Sequence, residues 1–175
     1  MPQKHSLWLV PPQPQRDRLE DAIATFCQTT GLPAFTPHVT LLGDIPASAD
    51  DISAALTPLT RTWKPLSLSL TETRTGADFF MSFYACVTAG PVLETLHQAC
   101  CRLFPDAAVP RQFTPHISLA YGPATDADKA RFTATVAPDL PLTFPVDRVF
   151  IVRSSNETPI ADWACLQSLP FGEAC

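Results

Sequence analysis

The seven residues Phe35-Thr36-Pro37-His38-Val39-Thr40-Leu41 return, type for type, as Phe113-Thr114-Pro115-His116-Ile117-Ser118-Leu119. The step from His38 to His116 is 78 residues in a chain of 175, so each half carries one copy and the chain reads as internally duplicated. Side chains two apart in a strand share a face, which puts His38 with Thr40 and His116 with Ser118, while Val39 and Ile117 turn to the opposite side, into a core. The proline before each histidine has no N–H and is tolerated only where a strand begins or at an edge, so each histidine stands near a strand end that can border a cleft. If the halves pack about a pseudo-twofold axis, two imidazoles and two hydroxyls meet around one small volume.

The flanking segments support interleaved helices and strands. The pattern predicts a strand over 5–10, a helix over 15–30 ended by Gly31 and Pro33, and the first histidine strand. A helix over 49–61 follows, capped by Ser48 and kinked or split at Pro58. Leu66, Leu68 and Leu70 alternate with polar residues as a half-buried strand, and 79–87 reads as another after a turn at Gly76-Ala77-Asp78. Beyond it come a helix over 91–104 with Val92, Leu96, Ala99 and Leu103 on its apolar side, the second histidine strand, a helix over 126–135 capped by Thr125, and strands over 146–153 and 160–169. Short strands linked in places by hairpins point to an α+β fold rather than a doubly wound parallel one. The expected architecture is a single bilobal domain over 1–175, with pseudo-twofold duplicated antiparallel sheets and flanking helices around a central cleft.

Composition narrows the functional classes. A net charge of −5 with no cluster of Lys and Arg lacks the electrostatic footprint of a protein that grips long nucleic acid, whereas small anionic substrates remain compatible. The chain is 46% hydrophobic and 17% charged, the balance of a globular protein, and no apolar run approaches the roughly 20 residues of a membrane helix. The apolar stretch from Leu7 to Val10 is too short for a secretion signal, so the expectation is a cytoplasmic protein with no membrane partner. Cys27, Cys86, Cys100, Cys101, Cys165 and Cys175 form no CxxC pair, and buried free thiols are expected rather than a zinc site or disulfides. Phosphate-loop, nucleophile-elbow and HExxH signatures do not occur.

Two histidines with two hydroxyls suit phosphoryl transfer to water. One neutral imidazole takes the proton of the attacking water, the other, protonated, supplies the leaving ribose oxygen, and the hydroxyls hold nonbridging phosphate oxygens. The unperturbed histidine pKa near 6.5 makes both states accessible at neutral pH, and neither metal nor cofactor is required. Zinc on His38 and His116 is disfavoured because no further ligand cluster accompanies them, and a Ser118 nucleophile has no support. His5 and His97 are expected at the surface.

The chain resembles the two-histidine (2H) phosphoesterases, and within them the cyclic phosphodiesterases of plant and yeast type. The two H-x-T/S-hydrophobic motifs carry that resemblance. Beside them stand the opening Ser6-Leu7-Trp8-Leu9-Val10-Pro11, the aromatic stretch from Thr75 to Val87, and Ser118-Leu119-Ala120-Tyr121-Gly122. It implies catalysis by His38 and His116, phosphate contacts from Thr40 and Ser118, and cleft-lining roles for Trp8 and Tyr121. It also implies hydrolysis of 2′,3′-cyclic nucleotides to 2′-phosphates, or of ADP-ribose 1″,2″-cyclic phosphate; separately, a monomer is expected. Phe83 and Tyr84 are the candidates for stacking on a base, with Phe79 and Phe80 as alternatives. Arg74, Arg111 and Arg153 could neutralise an anion, though a solvated position suits each better. The alternatives are an RNA-end-processing enzyme resembling the 2′,5′ RNA ligase-like branch, and a nucleotide-binding module without turnover.

Overall fold

A computed structural model describes residues 3–107 and 112–172; Arg111 and Cys175 lie outside them. Eight strands form one sheet: β1 (His5–Leu9), β2 (Val39–Ile45), β3 (Leu66–Thr75), β4 (Phe83–Thr88), β5 (His116–Ala120), β6 (Leu142–Val146), β7 (Arg148–Arg153) and β8 (Ala164–Pro170). Four helices accompany them: α1 (Gln15–Thr30), α2 (Ala49–Thr60), α3 (Pro91–Leu103) and α4 (Asp126–Val136). The strand order is β6-β3-β4-β5-β2-β1-β7-β8 with every neighbouring pair antiparallel.

The expected pseudo-twofold runs through the middle of this sheet. Val39 of β2 pairs with Ile117 of β5, the equivalent residues of the two motifs, and this is the one register pair joining the two four-stranded halves. The lobes are not the two halves of the sequence. After its second helix each repeat sends a strand to the other: β3 pairs with β4, and β7 pairs with β1. The helices cross over as well, α1 packing on β5 and α3 on β2. Exchange ties the lobes together more firmly than the narrow β2–β5 junction could. Val39 and Ile117 are both fully buried beneath that junction, with Leu9, Leu41, Ile23 and Phe26 in the same core.

Local chemistry accounts for the helix ends. Gly31 closes α1 at φ 72°, its N–H on the Cys27 carbonyl at 2.8 Å, a left-handed position glycine adopts without Cβ strain. Ser48 Oγ accepts the Asp51 N–H at 3.1 Å, and Thr125 with Asp128 forms a reciprocal capping box on α4.

Several expectations are corrected. Pro58 does not split α2, which runs through it; Ala54, whose carbonyl loses its i+4 N–H partner to Pro58, is exposed, so that carbonyl is open to solvent. Residues 79–81 form a 3-10 turn and the strand begins only at Phe83. Strand β6 was hidden by Pro145, which an edge strand accommodates because no neighbour needs its missing N–H. The segment 160–162 is another 3-10 turn, so β8 starts at Ala164. On α3 the buried face is Leu93, Leu96, His97 and Cys100, whereas Val92 is 48% exposed. His97 is therefore internal, its Nδ1 donating to the Leu41 carbonyl at 2.7 Å while its ring stacks on Phe113. His5 is buried too, with Nδ1 on the Ala47 carbonyl at 2.8 Å. In both cases a backbone acceptor compensates the burial of a polar ring. The five described cysteines are free thiols, but only Cys27 and Cys100 are buried and Cys165 is exposed.

Candidate active site

The two motifs give their histidines the same local setting. His38 Nδ1 lies 2.6 Å from the Thr36 carbonyl, and His116 Nδ1 lies 2.7 Å from that of Thr114. A carbonyl only accepts, so each Nδ1 carries a proton and each neutral ring leaves the Nε2 lone pair for another partner. The bond is local because the Thr-Pro-His bend aims the carbonyl two residues back at the ring. Both rings line one cavity of about 330 Å³, together with Trp8, Thr40, Ser118 and Tyr121. The structure thus brings together six of the eight residues singled out from the sequence.

The remaining two lie elsewhere. Phe83 is fully buried and packs on Phe26 and Phe132 in the core, so it is corrected from a base-stacking residue to a packing residue. Pairing with β5 turns it inward beneath the motif. Tyr84 points the other way; paired with Ser118 across β4 and β5, it meets the His116 ring edge-on at 5.2 Å beside the cavity without lining it. Besides Trp8 and Tyr121, the aromatic residues that reach the cavity from outside the motifs are Phe80, on the 3-10 turn, and Trp163, which the sequence reading missed. Trp163 stands in no motif; its indole N–H donates to the Thr158 carbonyl at 3.0 Å, and its ring meets Trp8 edge-on at 5.5 Å. Asp44, Asn156 and Ser6 line the polar end and were also missed. Asp44 sits at φ 53°, and its carboxylate accepts the backbone and side-chain N–H groups of Asn156 at 3.2 and 3.1 Å.

The duplicated histidines are electrostatically unequal. Trp8 stacks on His38 with ring centroids 3.5 Å apart and planes 6° from parallel. Burial pushes the His38 pKa down to about 3, opposed by the Thr36 carbonyl and reinforced by the nearby His116. His116 is also lowered by burial, against the Thr114 carbonyl, but its ring is only partly covered. His116 is therefore the more readily protonated of the two.

The hydroxyls differ as well. Ser118 Oγ donates to the Phe80 carbonyl at 2.7 Å, and the Gly122 N–H donates to the Phe79 carbonyl at 2.9 Å, so the 3-10 turn is tied to the second motif. Tyr121, stacked on Phe35 of the first motif at 4.0 Å, links one motif to the other. Burial raises its phenol pKa, partly countered by a hydrogen bond with Ser118.

Among the described residues no lysine or arginine lines this cavity, so there an anion would rest on hydroxyls and imidazolium. Arg74 is exposed and paired with Glu72, and Arg153 donates to the Asp162 carbonyl. No three His, Cys, Asp or Glu side chains cluster as a metal site among the described residues. Nor is any helix among them long and apolar enough to cross a membrane.

A single antiparallel sheet folded by duplication, with one histidine of each repeat at its centre, defines a two-histidine phosphoester-processing architecture. The model of the 2′-5′ RNA ligase superfamily matches residues 10–158, and the chain belongs to that superfamily, the 2H phosphoesterases. Its fold is shared with TT0787 of Thermus thermophilus, at TM-score 0.68 and 18% identity over 98% of this chain and 100% of that one. E. coli LigT in apo form aligns at TM-score 0.62 and 16% identity over 98% of both chains. Usb1 of Kluyveromyces marxianus aligns at TM-score 0.51 and 14% identity, covering 97% of this chain and 98% of its own. No curated protein shows significant sequence similarity to the chain.

Proposed function

We propose that this protein hydrolyses cyclic phosphates on ribose, opening a 2′,3′-cyclic nucleotide to the 2′-phosphate without a metal. The observation that carries the reading is the pair of free Nε2 atoms, one from each motif, lining one cavity with Thr40 and Ser118. His38, kept neutral by burial under Trp8, is the general base: its Nε2 takes a proton from water as the water oxygen bonds to phosphorus. His116, the ring easier to protonate, gives its Nε2 proton to the ribose 3′ oxygen as the P–O3′ bond breaks. Thr40 and Ser118 hold the nonbridging oxygens, Ser118 turning its proton from the Phe80 carbonyl to the phosphate. Trp8, Trp163, Phe80 and Tyr121 enclose the nucleoside.

Phosphorus NMR of products from 2′,3′-cyclic nucleotides and from ADP-ribose 1″,2″-cyclic phosphate tests this. A 2′-monoester is expected from the former; an intact ring in every case, with binding retained, would leave only a nucleotide-binding module. Activity should survive exhaustive chelation, and loss in EDTA with recovery on a divalent ion would refute the metal-free mechanism.

A further inference from the structure

Beyond the catalytic cavity, a second and larger one of about 630 Å³ shares Trp8 and Trp163 with it as a common wall. Its floor includes Thr36, whose carbonyl holds His38 Nδ1, so an occupant would lie one residue contact from the catalytic ring. The walls are largely apolar, with Phe35 and Phe150 among them beside Trp8 and Trp163. The charged groups come from the first turns of α1: Arg16, Glu20 and Asp21. Arg16 faces Glu20 at 3.8 Å, so carboxylates outnumber cations and a second phosphate is disfavoured there. A neutral planar group that offers N–H donors fits both the aromatic walls and the acidic rim. The catalytic cavity, at about 330 Å³, lies at the lower limit of a ligand site and has room for little more than one cyclic nucleotide.

We infer that the second cavity is a nucleobase subsite for the nucleoside on the 5′ side of the cyclic nucleotide, and that Glu20 and Asp21 select a base carrying an exocyclic amino group there. The inference rests on the cyclic phosphodiesterase reading for its first cavity and adds that a dinucleotide end is the better substrate. Cytosine presents an N4 amino donor where uracil presents an O4 acceptor, so the carboxylates favour the former and repel the latter.

The test compares kcat/KM on cytidine 2′,3′-cyclic phosphate, CpC 2′,3′-cyclic phosphate and UpC 2′,3′-cyclic phosphate. The CpC form is expected to exceed the mononucleotide by about 10-fold or more and the UpC form by about 5- to 10-fold less, the worth of one hydrogen bond. Ala24→Trp, on the exposed face of α1 that borders the cavity, puts an indole where the base would lie. It should erase the dinucleotide advantage while leaving the mononucleotide rate intact. Glu20→Gln with Asp21→Asn should equalise CpC and UpC. Equal kcat/KM on mono- and dinucleotide, or a dinucleotide advantage that survives Ala24→Trp, overturns the subsite. Calorimetry with CpC bearing no cyclic phosphate separates this from the function itself. Binding to wild type but not to Ala24→Trp, with no cyclic ring ever opened, keeps the subsite and refutes the hydrolase; absence of CpC binding with the mononucleotide opened does the reverse.

Discussion

At the scale of single residues, the duplicated motif produces two chemically distinct histidines. Replacing either with Ala should lower turnover by about 10² to 10⁴, the usual worth of a positioned proton transfer. The pH profile goes further. The proposed mechanism needs His38 neutral and His116 protonated, and burial lowers both below the ordinary 6.5, His38 to about 3. The kcat/KM profile should therefore be a bell centred on the acid side of 6.5, with limbs belonging to the coupled pair. His116→Ala should remove the alkaline limb from the residual rate; loss of the acid limb instead would reverse the assignment. Trp8→Ala uncovers His38, so its pKa should rise, which an NMR titration of the ring would show.

Among the elements, the 3-10 turn at 79–81 is the one whose placement matters most to the site. It is held by Ser118 Oγ and by the Gly122 N–H, and Gly122 sits at φ 71°. A Cβ there would come within 2.6 Å of Leu32 Cδ1 and 3.2 Å of the Phe79 ring, in a backbone region that L residues avoid. Gly122→Ala should therefore raise KM more than it lowers kcat, because it displaces the turn and not the imidazoles. Steady-state kinetics with both parameters resolved decides this. By contrast Thr125→Ala removes the cap of α4, remote from the cavity. It should cost about 1 kcal/mol in denaturant unfolding and leave kcat/KM alone.

For the whole molecule, buried neutral histidines link stability to pH. The unfolded chain protonates its histidines near 6.5, whereas folded His38 resists protonation until about 3. Between those values the unfolded state binds more protons, so stability is full above about 6.5 and falls as pH drops toward 3. Denaturant unfolding at a series of pH values should show that loss, and His38→Asn should flatten the slope. An unchanged slope in the mutant would place the linkage elsewhere. Strand exchange predicts a second global property: with β3 and β7 crossing between repeats, the lobes should unfold in one transition.

Much of this site could be read from the chain itself because its signal is local. The F-T-P-H unit contains both the carbonyl and the ring that fix the tautomer, and period-two alternation alone puts Thr40 beside His38 and Ser118 beside His116. Helix α1 was legible from 15 to 30 because its apolar spacing and Gly31 stop lie within one segment. What the sequence could not determine depends on neighbours distant along the chain. Phe83 and Phe80 are both strand-like aromatics by composition, and only pairing with β5 sends one into the core and leaves the other at the cavity. Trp163 reaches the site because β8 closes against β7, Pro145 is tolerated because β6 lies at an edge, and His97 is buried because α3 docks on β2. Two repeats with the same pattern also leave open which strand joins which lobe. The exchange of β3 and β7 is decided by tertiary packing, since either arrangement satisfies the same alternation and the partners, β4 for β3 and β1 for β7, lie far away along the chain or in the other repeat.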